Sequence, residues 1–306
     1  MKGYLQSLPT EIDSVQVRPA DAFGARCTCP ADAPYSLTDQ VMRFTNHMAQ
    51  VAREIRPNME YPYVAYQSTW GPPPQVKPVP GVTLSLAPIH HCFNHAVNDP
   101  GCWINSANRY DEPMGRFEYG VRPVVEEHLR RFESATASLV DYWVDASIFG
   151  RGHLRHWERR LPNNGGIVQQ DIQYYHSLGI PSIWTFVVFI DGDYLKRFTS
   201  PLIFQYGDLL WNPDEDLTAG LRDFCKHFYE DESLAEVFPL EEPSDPRDAT
   251  PQIWSERLDW TSKTLQVIRE AATAAQDDAI HERLTRLVAE REHCLAVIDQ
   301  YLQQAS

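Results

Sequence analysis

The stretch "IPSIWTFVVFID", Ile180–Asp191, holds eight consecutive residues, Ile183 to Ile190, with no charge, proline or glycine among them. Its β-branched and aromatic content, bounded by Pro181 and Gly192, predicts a strand. A continuous apolar run of this kind fits a strand covered on both faces, which is the habit of parallel sheets. Working outward, "NGGIVQQDIQYYHSLG" just before it reads as a helix closed by Gly179. Before that, "SLVDYWVDASIF" reads as a strand, preceded by a helix around "VVEEHLRRFES" that begins just after Pro123. Further forward lie the strands "VTLSLAPI" and "YPYVAYQ", joined by the stiff, exposed connection "GPPPQVKPVPG". The segment "SLTDQVMRFTNHMAQVAREIRP" has apolar residues at helical spacing, with Val41, Phe44, Met48, Val51 and Ile55 in line. Ser36 with Asp39 gives it a capping-box-like start and Pro57 its stop. The first strand is "DSVQVRP", β-branched at Val15 and Val17. Repeated β-then-α order predicts an α/β barrel or a doubly wound sheet. No G-x-G-x-x-G or Walker loop stands at a strand–helix junction, which weighs against nucleotide-binding versions.

The chain changes character at "PLEEPSDPRDATP", residues 239–251, which reads as an exposed linker. Beyond it, Thr250 and Pro251 open a helix carrying Trp254, Leu258, Leu265 and Ile268. A second helix carries Ile280, Leu284, Leu287, Cys294 and Ile298, and the two read as an antiparallel hairpin. The expected organisation is a barrel-type domain over 1–238, a linker over 239–251 and a helical hairpin over 252–306.

With a net charge of −15 in 306 residues, the chain is a poor partner for nucleic acid, whose binding rests on Lys and Arg. No uncharged apolar run approaches the length of a membrane span. The start "MKGYLQSLPTEIDS" lacks the apolar section of a signal peptide, and the location is left open. Eight Trp, fourteen Tyr and thirteen Phe in an acidic chain fit sugar recognition as well as core. Six scattered cysteines do not make a disulfide scaffold. Cys225 and Cys294 fall in helical patterns and read as buried; Cys27, Cys29, Cys92 and Cys102 lie in loop-like sequence, as disulfides or free thiols. Their spacing departs from the C-x2–4-C of structural zinc, and no metal or cofactor is expected. His90 and His91, adjacent on a strand, would point to opposite faces, which also argues against a metal formed with His95.

Several stretches together resemble a bacterial family of glycoside-hydrolase-like barrel proteins, domain of unknown function 4838. They are "VRPADAFGARCTCP", "YVAYQSTWGPPPQVKPVPGVTLSLAPIHHCFNHAVNDPGC", "LVDYWVDASIF", "QQDIQYYHSLGIPSIW" and "LLWNPDEDLTAGLRDFCKHFYED", spanning roughly residues 13–232. Family members commonly carry a further Cys after the C-x-C, which this chain lacks. The resemblance implies that the chain holds the later part of a (β/α)8 barrel, about five βα units, with the first three strands ahead of Met1.

Barrel active sites sit at the carboxyl ends of the strands. Asp21 and Asp141 are therefore the expected pair of catalytic carboxylates for glycoside hydrolysis, which needs two such groups across the scissile bond. On the strand through Asp141, alternation groups Asp141, Trp143 and Asp145 on one face and Tyr142 on the other. Tyr66, Gln67, Trp70, His91, Asn94, Tyr142 and Trp184 are the expected carbohydrate-binding residues. Asp214, Glu215 and Asp216 stand near a helix start and read as dipole-stabilising rather than calcium-binding. No Glu ends a strand, so a carbohydrate-binding or scaffold barrel without hydrolytic activity is the alternative reading, and a metal-dependent hydrolase built on the histidines is a third.

Overall fold

The computed structural model describes residues 2–16, 24–106, 108–111, 116–132, 136–150, 160–245 and 249–305, with 108–111, 116–119, 150 and 305 described by backbone alone. The elements are α1 (Lys2–Ser7), α2 (Leu37–Ile55), β1 (Tyr61–Tyr66), β2 (Val82–Ala87), α3 (Trp103–Ser106), β3 (Asn108–Asp111), β4 (Arg116–Tyr119), α4 (Val121–Arg131) and β5 (Ala137–Asp141). They continue with α5 (Gly165–Ser177), β6 (Ser182–Thr185), α6 (Gly192–Arg197), α7 (Pro201–Trp211), α8 (Leu217–Tyr229), α9 (Pro251–Ala274) and α10 (Asp278–Ala305). Among the described residues no helix is long and apolar enough to cross a membrane.

Four strands form one parallel sheet in the order β1–β2–β5–β6, and β3 pairs antiparallel with β4 in a separate ribbon. A further parallel bridge, Ser14 to Glu60, sets the "DSVQV" segment beside the start of β1. The strands thus lie side by side in chain order. Among the described residues the sheet is open and no barrel closes. The chain falls into two compact units: residues 1–91, 97–141 and 175–184, and residues 92–96, 142–174 and 185–306.

In the first unit, α2 starts as its sequence predicts. Ser36 is the N-cap, its Oγ accepts from the Asp39 amide at 3.1 Å, and its hydroxyl donates to Asp39 Oδ2 at 2.7 Å. Asp39 is fully buried because it also receives the amides of Gln75 and Val76, at 2.9 and 2.8 Å. Asn46 adds bonds to the Lys77 carbonyl and the Val79 amide. The proline-rich connection, read as exposed, is therefore fastened to α2, with Gly71 and Pro73 buried. β2 is buried at every position, as a central strand flanked on both sides must be.

β6 corrects the opening expectation. Only Ser182–Thr185 is strand, and its residues alternate between exposed and half-buried. Among the described residues it is the last strand of the sheet, with a strand neighbour on one side, and only one of its faces is partly covered. The strand through Asp141 is also shorter than its apolar run. It stops at Asp141, and residues 142–147 turn, so the alternation expected for Tyr142, Trp143 and Asp145 does not apply.

The second unit is helical. Asp216 caps α8 by accepting from the Thr218 and Ala219 amides, and Thr250 caps α9 with Pro251 at its first position. α9 and α10 form the predicted hairpin, tied by Arg269–Glu292 at 2.6 Å. Ile268, Ile280, Leu284 and Leu287 pack with Leu221, Cys225, Tyr229 and Phe238 in one apolar cluster. Burial of each such large side chain contributes about 1.5–3 kcal/mol.

Residues 239–251 differ from the exposed linker that their composition predicts. Glu242, Ser244 and Asp245 are all at most 1% exposed. Glu242 Oε1 receives Arg160 Nη1 at 2.8 Å and pairs with Arg257 Nη2 at 2.7 Å; Oε2 receives Arg160 Nη2 at 3.0 Å and the Asn163 amide at 2.9 Å. Arg160 Nε donates to Glu290 Oε1 at 2.6 Å, and Glu290 Oε2 accepts the Thr199 amide at 2.8 Å. Arg291, fully buried, lies over the rings of Phe238 and Trp260. Burial pushes the Glu242 carboxyl up, but Arg160, Arg257 and Arg291 outweigh it and hold it well below the ordinary carboxylate range.

Candidate functional site

In a parallel α/β sheet, ligands bind beyond the carboxyl ends of the strands. Register fixes which residues stand there. Tyr66 pairs with Ala87, and Leu86 with Leu139, so Tyr66, Ala87 and Val140 are level. Gln67 and Pro88 follow the last residues of β1 and β2, and Asp141 is the last residue of β5.

The turn after β1 is built by its own side chains. Thr69 Oγ1 donates towards the Val64 and Tyr66 carbonyls, both at 2.9 Å, and Tyr63 Oη donates to the Thr69 carbonyl at 3.3 Å. This chain reversal holds Gln67 at φ 42°, in the left-handed region that costs a non-glycine residue free energy. Gln67 Nε2 donates to Tyr66 Oη at 2.8 Å, so the two predicted binding residues form one half-buried polar pair. Behind them, His128 Nε2 meets the Trp70 carbonyl at 2.8 Å. Burial pushes the His128 imidazole down to about 4, against the opposing pull of that hydrogen bond, so it is neutral at pH 7 and donates from Nε2.

The predicted residues meet different fates. Tyr66, Gln67 and Asp141 stand at the strand ends, and Asp141 is 4% exposed. Trp184 is 40% exposed on the edge strand. Trp70 is buried, with its ring 6.5 Å from that of His128. His91 is buried in the turn after Pro88 while His90 is exposed; β2 ends at Ala87, so this divergence belongs to a turn and not to a strand. Asn94 and Tyr142 belong to the second unit. The Asn94 amide is spent on the backbone: Nδ2 donates to the Asp245 carbonyl at 2.7 Å and Oδ1 accepts the Ser244 and Asp245 amides at 2.8 Å. Tyr142 is buried and stacks on Phe186 at 5.4 Å. Neither is a free hydrogen-bonding group for a sugar. Asp21 lies outside the described residues.

Two features escape the sequence reading. The buried Arg–Glu network has a faint signal: Arg291 stands between Leu287 and Cys294 on the apolar stripe of α10, and Arg257 follows Trp254 on that of α9. A charge in a core-facing position of a helix demands a buried partner. The other is Asp32, whose carboxylate lies 3.5 Å from the Cys29 thiol. None of the six cysteines is in a disulfide; Cys27 and Cys29 are exposed and the other four buried.

No protein-family model, no curated protein and no solved structure matches this chain.

Proposed function

We propose that this chain is a glycoside-hydrolase-like, carbohydrate-active protein built on the later part of a (β/α)8 barrel, with its ligand at the carboxyl ends of the parallel strands. One observation supports this reading above others: β1, β2, β5 and β6 are parallel neighbours in chain order, and the Ser14–Glu60 bridge extends that order by one segment. A barrel adds each strand beside the last, whereas a doubly wound sheet reverses direction at a switch point. The resemblance to domain of unknown function 4838 points the same way.

In this reading Asp141 is one catalytic carboxylate and Asp21, on sequence grounds, the other. Tyr66 and Gln67 bond sugar hydroxyls and Trp184 supplies a stacking face. Hydrolysis of a panel of aryl glycosides and glucuronides tests it. Asp141→Asn is expected to lower kcat/KM by at least about 100-fold on any substrate that is turned over. Binding without hydrolysis is favoured by the burial of Asp141, which is 4% exposed. Calorimetric titration with oligosaccharides separates the two, since binding without turnover selects the second. Neither binding nor turnover across the panel overturns both.

A further inference from the structure

We propose that Cys27, Cys29 and Asp32 form a binding site for a thiophilic divalent cation of the zinc class. The inference is independent of the carbohydrate reading, because it rests on one loop of the first unit. The two Sγ atoms and a carboxylate oxygen all lie within 4.8 Å of one another. Tetrahedral zinc, with bonds of about 2.3 Å to sulfur and 2.0–2.2 Å to oxygen, needs ligand atoms roughly 3.5–3.8 Å apart. The Cys29 Sγ to Asp32 Oδ2 separation is 3.5 Å.

The spacing C-x-C-x2-D departs from the usual structural zinc pattern, and the chain makes up the difference with a turn. The Cys29 carbonyl accepts the amides of Asp32 at 3.0 Å and Ala33 at 2.8 Å, which brings the Asp32 side chain back to the thiols. A single residue of α2 then fixes both ends of the loop. Gln40 Oε1 accepts the Cys27 amide at 2.8 Å, and its Nε2 donates to the carbonyls of Cys27 and Asp32, both at 3.0 Å. Arg43, nearly one helical turn later, pairs with Asp32 Oδ1 and stacks on Tyr35 at 4.4 Å, leaving Oδ2 directed at Cys29. Hydrogen-bonded support of this kind is what orients ligands in metal sites. Two thiolates favour zinc over calcium or magnesium, and three protein ligands leave a fourth position for water. The exposure of both cysteines puts that position in solvent.

The test loads the full chain, purified reduced and metal-free, with zinc and then with cobalt(II). Metal per chain is measured after dialysis, and thiolate-to-cobalt charge transfer by absorption. One equivalent of metal with a charge-transfer band is expected. Cys27→Ser and Cys29→Ser each abolish or sharply weaken both signals, and Asp32→Asn and Gln40→Ala each weaken affinity about 10–100-fold. Cys27 and Cys29 are exposed and Asp32 lies on the loop, and an unchanged melting profile of the serine variants shows that loss of metal is not loss of fold. Less than a fifth of an equivalent bound overturns the proposal, as does binding that persists in the Cys27→Ser/Cys29→Ser double variant. A Cys27–Cys29 disulfide that forms in air despite saturating zinc overturns it too.

Discussion

Replacing Glu242 by Gln tests whether residues 239–251 are structural. Glu242 accepts two bonds from Arg160 and one from the Asn163 amide, and pairs with Arg257, while 1% exposed. Glutamine keeps the shape but removes the charge, so Arg160 and Arg257 lose the carboxylate they pair with and Arg291 a nearby opposite charge. Its NH2 group must also face a donor, because Arg160 or Asn163 donates at each former carboxylate oxygen. Breaking a buried pair from one side costs about 3–5 kcal/mol. In a unit of this size that lowers the melting temperature by about 6–20 °C. Urea unfolding, followed by fluorescence of Trp143, Trp254 and Trp260, reads the loss as a shift in midpoint at constant slope. The exposed neighbour variant Glu241→Gln is the control, expected within about 0.5 kcal/mol of the parent. The pH dependence follows in sign. A carboxyl depressed in the folded state contributes stability above its ordinary value of 4.5, and that contribution is lost as pH falls through the acid range. Glu242→Gln therefore flattens the acid limb of the stability profile. A cost below about 1 kcal/mol, or an unchanged acid limb, refutes the reasoning.

Three further outcomes are expected. His128 is held neutral, from 6.5 down to about 4, so its contribution is complete above pH 6.5 and is lost as pH falls toward 4; about 3 kcal/mol of stability is at stake, read by denaturation at several pH values and absent in His128→Asn. Gln67→Gly relieves the left-handed backbone and raises stability by up to about 1 kcal/mol while weakening ligand binding; a destabilised variant contradicts the strain argument. Trp184→Lys puts a charge on an exposed edge strand and is expected to reduce concentration-dependent self-association in analytical ultracentrifugation, with equal association in both proteins counting against the edge as its cause.

Elements with local causes were legible in the sequence. Ser36 with Asp39, Asp216, and Thr250 with Pro251 each announce a helix start through groups a few residues apart, and each caps its helix. The apolar positions of α9 and α10 repeat at helical spacing and are buried as that spacing requires. The same logic overreached at "IWTFVVFI". Composition reports that a segment favours extended backbone, but burial on two faces depends on neighbours in the sheet, and among the described residues β6 has a strand on one side only. At the strand ends, Tyr66, Gln67 and Asp141 were legible because parallel strands need carboxyl ends. The burial of Trp70 and Tyr142 was not legible, since an aromatic ring's exposure is decided by what packs on it.

The misreading of residues 239–251 has a more general physical root. Proline and acidic residues lower the expected burial of a segment because an isolated charge cannot leave water at tolerable cost. That inference holds only while the charge is isolated. Glu242 becomes compatible with burial once Arg160, 82 positions earlier, is beside it, and Asn94 becomes a clamp once the Ser244 and Asp245 amides arrive from 150 and 151 positions later. No window along the chain contains both members of such a pair. The informative local mark is instead the mismatch on the other side: a charged residue such as Arg291, set among Leu287 and Cys294 on the inner stripe of a helix, requires an acidic partner from elsewhere. Such mismatches announce that acidic side chains are needed inside, and the fold, not the local sequence, decides that Glu242 and Glu290 supply them.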